Sequence, residues 1–124
     1  MSVEPTKAQL ATLAAYPKDK PVAMVNIIKY RDKTPDGTQR GKDVYKQYIA
    51  AAMPFVEAVG GRLIWRGKPA ATVIGSDEKP DIIFIVQYPS VAAFFEMIKN
   101  PDYQKVTHLR GLSLEIGDLI ACEM

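Results

Sequence analysis

The chain has 124 residues, 48% of them hydrophobic and 24% charged, which suits one soluble globular domain with a single core. Its 16 basic and 14 acidic side chains leave a formal charge of +2, and this balance argues against a nucleic-acid or anionic-membrane partner. The single Cys122 excludes an internal disulfide. With no cluster of metal-type ligands and no secretion or membrane-spanning signal, we expect a cytoplasmic protein without a metal or other cofactor.

The first predicted element is a short helix from Thr6 to Tyr16. Thr6 and Gln9 have the spacing of a capping box, and Pro17 ends the helix. We interpret residues 1–20 as an N-terminal helical arm and residues 21–124 as a single domain. The arm either docks on its own domain or grips a partner subunit.

A strand from Val22 to Tyr30 follows, apolar on both faces except at Asn26 and Lys29. After an exposed loop, residues 31–41, the apolar spacing from Lys42 to Val59 predicts a long helix. Pro54 lies inside this helix and should kink or split it near residues 50–53. Gly60-Gly61 ends it, with one glycine in the left-handed cap position.

The next strand is predicted from Arg62 to Gly67, with a bulge or bend at Gly67-Lys68-Pro69 and a continuation from Ala71 to Ile74. A polar turn then leads into Ile82–Val86, which is apolar at every position. A strand with one wet face should alternate, so this sequence predicts a central strand that is covered on both faces.

The last part of the chain predicts two helical pieces and a strand. Ser90 is a good N-cap for a helix from Val91 to Lys99. Asn100-Pro101 restarts a helix that runs to about Arg110, where Gly111 closes it. Residues 112–120 alternate between apolar and polar and predict a final strand with one wetter face.

This order of elements predicts an α+β fold: a ferredoxin-like βαββαβ protomer with an extra N-terminal helix, in which a four-stranded antiparallel sheet carries both long helices on one face. The other face is then bare, although the two central strands are apolar on both sides. Each buried aliphatic side chain gains roughly 1.5–3 kcal/mol over an exposed one. We therefore expect a homodimer in which two sheets pack face to face, forming a dimeric α+β barrel.

Several short motifs occur together in a fixed order along the chain, from the strand that contains Asn26 to Arg110. This ordered set resembles the domain-of-unknown-function 1330 family of the dimeric α+β barrel superfamily. The resemblance implies the same protomer and barrel dimer and implies no reaction, because fold does not determine chemistry. The motifs are Met24 to Tyr30, Tyr45-x-x-Tyr48, Gly60-Gly61-Arg62 with Arg66-Gly67, Tyr88-Pro89-Ser90 with Ala93-Phe94, Pro101-x-Tyr103 and Arg110.

The chain departs from the resemblance at Gln87, where a glutamate is frequent in that family, and in the longer loop of residues 31–41. A neutral amide cannot act as the base that a glutamate would supply. Gln87 shares strand parity with Ile83 and Ile85, whereas Asn26 shares it with Tyr30. If these faces line the barrel, Asn26, Tyr30 and Gln87 are candidate ligand-binding residues in an apolar cavity. The alternative is that the amides satisfy buried backbone groups or each other.

Four further side chains are candidates for chemistry. Arg66 and Arg110 can hold a carboxylate or enolate, although structural ion pairs are the plainer role for both. His108 is the only histidine, so any acid–base step by an imidazole must use it. The alternative is that His108 is simply solvated or caps a helix. Tyr45 is placed at the rim of the long helix's apolar stripe, with its hydroxyl near the cavity mouth. His108 and Tyr45 are thus the candidate proton shuttles.

Three function classes remain open from the sequence. The chain binds a small anionic or carbonyl-bearing molecule in the barrel cavity, and acts as a cofactor-free monooxygenase- or isomerase-like enzyme. Alternatively, it is a carrier or sensor that uses the same cavity without catalysis. A third reading is an interaction module that presents the N-terminal helix and the loop of residues 31–41 to a protein partner.

Overall fold

The computed structural model describes residues 3–124, so residues 1 and 2 of the predicted N-terminal arm lie outside the described part. Helices and strands follow one another in the predicted order, with one additional short helix before the last strand. Their bounds are α1 Lys7–Ala14, β1 Val22–Tyr30, α2 Gly41–Ala58, β2 Arg62–Gly67, β3 Ile82–Tyr88, α3 Val91–Lys99, α4 Pro101–Gln104, α5 His108–Ser113 and β4 Leu114–Glu123.

The four strands form one antiparallel sheet in the order β2-β3-β1-β4. This order, with both long helices on one face, is the ferredoxin-like α+β fold, so the predicted fold class is confirmed. β1 pairs with β3 over seven residues, from Val22 opposite Tyr88 to Ile28 opposite Ile82. On its other side β1 pairs with β4, where Ile28 lies opposite Gly117.

The sheet has two faces with different surroundings. The helix face carries Val22, Met24, Ile28, Ile82 and Val86, all at most 7% exposed because α2 and α3 cover them. The open face carries the alternate residues of the same strands, which are only partly buried within one chain. The prediction that both faces of the central strands are covered therefore holds within the chain for the helix face alone. The open face is formed by Ala23, Val25, Ile27, Lys29, Arg62, Trp65, Ile83, Ile85, Gln87, Ile116, Asp118, Ile120 and Cys122.

Helix α2 matches the prediction in length but is not split at Pro54. It runs unbroken from Gly41 to Ala58, and Gly60 follows it with φ +85°, the left-handed cap. Pro54 cannot donate to the carbonyl of Ala50, and both residues lie on the exposed side of the helix. Water can therefore satisfy that carbonyl, and the helix continues.

Two other boundary predictions were wrong. The helix expected to run from Pro101 to Arg110 breaks into α4 and α5, and Gly111 lies inside α5 because the Ser113 hydroxyl donates to the Leu109 carbonyl at 2.6 Å. Residues 71–74 form no strand, since β3 begins at Ile82 and offers no backbone partner beyond Gly67. The bulge of β2 lies between Leu63 and Trp65 instead of at Gly67.

The capping predictions were confirmed. Thr6 and Gln9 form both hydrogen bonds of the capping box, at 3.0 and 3.1 Å. Ser90 accepts from the Ala93 backbone at 3.0 Å, and Asn100 accepts from the Asp102 backbone at 2.9 Å. These short-range hydrogen bonds fix where α1, α3 and α4 begin.

Candidate ligand-binding site

A cavity of about 660 Å³ lies between the helix face of the sheet and the helices that cover it. This volume is within the range of small-molecule sites, which is roughly 300–1,000 Å³. Strands β1 and β3 form its floor and α2 forms one wall. Helix α1 and the residues just after it run along its side, where Leu10, Leu13 and Tyr16 contribute to the lining and are only partly buried.

Arg110 brings a positive charge to this cavity from helix α5. Its Nη2 donates to the backbone carbonyl of Gly117 at 3.1 Å, and its guanidinium carbon lies 5.9 Å from the centre of the Tyr48 ring. A Cβ at position 117 would lie 2.9 Å from Nη2 and clash with it. The absence of a side chain at Gly117 therefore makes room for the guanidinium. Arg110 forms no ion pair with any of residues 3–124.

Tyr45 lies beside this cation on helix α2. Its ring centre is 5.7 Å from that of Tyr30 and 5.7 Å from that of Tyr48, so three tyrosines form a continuous aromatic row. Its hydroxyl makes no hydrogen bond to any residue of the described range 3–124. Burial raises the pKa of Tyr45 above its usual 10.0, and the nearby Arg110 only partly opposes this. At neutral pH the phenol therefore keeps its proton and can donate it in a hydrogen bond.

Tyr48 and Tyr103 satisfy each other. Their hydroxyl oxygens are 2.8 Å apart, and both rings are buried. Burial also raises the pKa of Tyr48, with the Tyr103 hydroxyl as a further cause. This pair ties α4 to α2 and orients the ring over which the Arg110 guanidinium lies.

The two amides of the predicted site lie on opposite faces of the sheet. Asn26 lines the cavity on the helix face, and its Nδ2 donates to the Met24 carbonyl at 3.2 Å. Gln87 pairs with Ala23 and belongs to the open face. A single pocket within one chain therefore contains Asn26 and excludes Gln87. A cavity between the open faces of two copies stays a prediction.

The remaining predicted residues lie outside the cavity. Tyr30 does not line the cavity, but its ring contacts that of Tyr45, which does. The backbone N–H of Tyr30 donates to Asp81 at 2.8 Å. Burial raises the pKa of Tyr30, with Asp81 as a further cause. Arg66 is exposed on the edge strand β2, and His108 is exposed at the start of α5. Their predicted roles would need a partner subunit or a different site.

Three residues that shape the cavity were not among the predicted site residues: Tyr48, Tyr103 and Gly117. The sequence did contain a signal for the tyrosines, since Tyr45-x-x-Tyr48 and Pro101-x-Tyr103 are both among the motifs named above. Gly117 offers no such signal, because its importance comes from its register opposite Ile28 and its contact with Arg110.

Within residues 3–124, no group of three or more histidine, cysteine or acidic side chains is placed to hold a metal ion. Over the same residues, no helix is both long and apolar enough to cross a membrane.

A comparison with the models of known protein families finds one match to this chain. The model of DUF1330, a domain of unknown function, matches residues 38–123, from the loop before α2 to the end of β4. This match covers more than half of the chain. The chain belongs to the DUF1330 family. No curated protein matches it.

The solved structures agree with this assignment. The protein RPA0582 from Rhodopseudomonas palustris, described as a protein of unknown function, is 35% identical, with a TM-score of 0.92 over 99% of this chain and 94% of that one. A dimeric protein of unknown function from Bacteroides fragilis has a ferredoxin-like fold and a TM-score of 0.57 at 14% identity, over 87% and 100% of the two chains.

A third solved structure is SnoaB from Streptomyces nogalater, described as a cofactor-independent oxygenase. It is 16% identical, with a TM-score of 0.54 over 85% of this chain and 93% of that one. At such identities the likeness shows the fold that DUF1330 shares with these proteins and nothing of their activity.

Proposed function

We propose that this DUF1330 protein binds a small organic anion or carbonyl compound in the helix-face cavity, with Arg110 and Tyr45 holding the charged or polarised oxygen. The observation that carries the proposal is the environment of Arg110. This residue is a partly buried cation at an apolar cavity, without an ion pair among residues 3–124.

A cation in such surroundings is costly unless an opposite charge compensates it. The Gly117 carbonyl occupies only one of the guanidinium's five N–H donors, so the planar fork keeps donors for a carboxylate or enolate. The protonated Tyr45 hydroxyl adds a neutral donor nearby. Hydrogen bonds to a charged group contribute about 1.5–3 kcal/mol, which is enough to select an anion over a neutral analogue.

Carriage or sensing of the ligand is the first candidate for what binding achieves. Burial raises the pKa of Tyr45, so its phenol stays protonated at neutral pH and cannot accept a proton from a ligand. His108 lies outside the cavity. Neither predicted proton shuttle is therefore well suited to remove a proton, and carriage needs no such step.

A cofactor-free enzyme is the second candidate. The fold is that of SnoaB, which is described as a cofactor-independent oxygenase. In such a reaction Arg110 would stabilise an enolate or phenolate of the substrate, while Tyr45 would donate a hydrogen bond to the same oxygen. Because neither Tyr45 nor His108 is suited to accept the proton, the substrate would have to lose it to solvent water and be held in the cavity as the enolate or phenolate anion.

We further propose that the functional unit is a homodimer formed through the open face. Ile83 and Ile85 are only partly buried there, and Trp65 is 53% exposed. The B. fragilis relative with the same fold is described as dimeric. Pairing of two open faces would bury this apolar surface.

The binding proposal is tested with 2-naphthoate and 2-naphthylmethanol, which share one aromatic body and differ in charge. We expect naphthoate to bind more tightly in calorimetry, and Arg110→Gln to weaken it at least about tenfold while changing the alcohol by less than about twofold. Arg66→Gln is the matched control, since it removes the same charge outside the cavity. Equal binding of naphthoate by the wild type and the Arg110→Gln variant would refute the proposal.

A further inference from the structure

Arg110 is the one basic residue among the described residues that line the cavity, and it lies at one end of it. Arg110 donates to the carbonyl of Gly117, which lies opposite Ile28 near the end of β1, and the Tyr45 ring packs against the Tyr30 ring at that same end. Asn26 lines the cavity on the same part of β1. We call this region the polar end.

The opposite end is built from the other halves of the same elements. Val56, near the end of α2, lies against Gly61, where an added Cβ would be 2.7 Å from its Cγ1 and 3.0 Å from the Tyr88 ring. Tyr88 pairs with Val22 at the start of β1. We call this region, formed by Val22, Val56 and Tyr88, the apolar end.

The three side chains that form the apolar end offer a ligand no free donor. The Tyr88 phenol is 4% exposed and donates to the Met97 sulfur at 3.6 Å. Glu123 lies opposite Val22 on β4 and lines the rim of the cavity at this end. A second negative charge on the ligand would lose its hydration there and also meet the Glu123 carboxylate.

The distance between the two ends defines the length of the ligand. From Tyr45 to Val56 the α2 wall is roughly 16 Å long, at a rise of about 1.5 Å per residue. From Asn26 to Val22 the β1 floor spans about 13 Å, at roughly 3.3 Å per residue. An aromatic ring alone would leave most of this length unfilled.

From this arrangement we propose that the ligand is an elongated monocarboxylate, with its head at Arg110 and an unbranched or lightly branched apolar tail extending toward Tyr88. This inference rests on the proposed function and adds the class of ligand. The head accepts hydrogen bonds from the guanidinium and from Tyr45. The tail contacts Met24 and Val86 on the floor and Met53 on the wall, all of which line the cavity.

The test is a series of straight-chain carboxylates, from butanoate through hexanoate and octanoate to dodecanoate, each measured below its micellar concentration by calorimetry. We expect affinity to rise about 4-fold for each methylene that enters the cavity, and to stop rising when the tail outgrows the apolar end. Decanoate should bind at least tenfold more tightly than decan-1-ol. Decanoate should also bind more tightly than the dicarboxylate sebacate, by a similar factor.

Two variants locate the tail. Met53→Trp fills the wall near the apolar end, and we expect it to weaken decanoate at least tenfold while changing butanoate less than twofold. Ala50→Trp places the same side chain on the exposed side of α2 and should leave both unchanged. If Met53→Trp does not fold, the chain-length series on the wild-type protein still tests the proposal by itself.

The outcomes separate this inference from the proposed function. A flat chain-length series that still depends on Arg110 would overturn the elongated ligand and leave anion binding intact. A rising series that Arg110→Gln leaves unchanged would put the chains elsewhere, for example on the open face, and would also overturn it. Failure of every carboxylate, including 2-naphthoate, to bind the wild type would overturn both.

Discussion

The helix face and the open face of the sheet consist of the same two central strands and have opposite surroundings. On the helix face, Met24 and Ile28 are at most 2% exposed, and the buried tyrosines there find partners or lie beside a cation. On the open face, Ile83 and Ile85 are equally apolar and remain only partly covered. The comparison shows that apolar composition predicts burial without saying which element provides it.

The two faces also differ in the kind of group that they present. The helix face combines an apolar floor with a guanidinium and a phenol, which is the composition of a small-molecule site. The open face presents mainly aliphatic side chains and one exposed tryptophan, with polar residues among them, which suits a protein interface. We therefore assign ligand binding to the first face and self-association to the second, as separate proposals.

The largest effect is expected on the open face from Ile85→Asp. A twofold interface loses two isoleucines and gains two buried charges, so the dimer dissociation constant should rise by at least about 100-fold. Sedimentation equilibrium at micromolar concentration should then show a dimer for the wild type and a monomer for the variant. Ligand binding in the helix-face cavity should persist if the two faces act separately.

Ala50→Asp is the control for this experiment, because it adds the same charge at an exposed position on α2. It should remain dimeric. A wild-type protein that sediments as a monomer at micromolar concentration would contradict the proposed homodimer.

A second prediction concerns alkaline pH and the helix face alone. Burial raises the pKa of Tyr45, Tyr48 and Tyr88 above 10.0, so above pH 10 the unfolded chain releases protons that the folded chain retains. Their contribution to the free energy of unfolding is constant below pH 10 and falls as pH rises further. At pH 11 the loss is at most about 1.4 kcal/mol for each tyrosine.

Tyr45→Phe tests this prediction well, because the Tyr45 hydroxyl has no hydrogen bond among residues 3–124 to lose. Urea unfolding between pH 8 and pH 11 should show a shallower decline for this variant than for the wild type. Ile85→Val on the open face should lower the free energy of unfolding equally at every pH. Parallel curves for Tyr45→Phe and the wild type would contradict the assignment.

Most of the fold could be predicted from the sequence because its signals are local. Ser90 and Asn100 begin helices through hydrogen bonds to residues two or three positions away, and Gly60 ends α2 through its own backbone conformation. The end of β2 could not be predicted in this way. It depends on which residues of β3 remain available as partners, and that is a property of the assembled sheet.

The site was harder to predict because strand register decides it. Parity along one strand groups Asn26 with Tyr30, but only the pairing of Asn26 with Phe84 shows that Gln87 points to the opposite face. Arg110 was identified as a candidate cation from its residue type. Its place in the cavity depends on Gly117, which is brought beside it by the pairing of β4 with β1.

A third prediction concerns the hydroxyl pair that joins α4 to α2 above the helix face. Tyr48→Phe leaves the buried Tyr103 hydroxyl without its partner at 2.8 Å, which should cost about 1–2 kcal/mol of the free energy of unfolding. The double variant Tyr48→Phe/Tyr103→Phe removes both polar groups, so its cost should be clearly smaller than the sum of the single costs. Urea unfolding of the four proteins measures this coupling. Additive costs would mean that water replaces the lost partner, and that the helix face is wetter at this point than its burial indicates.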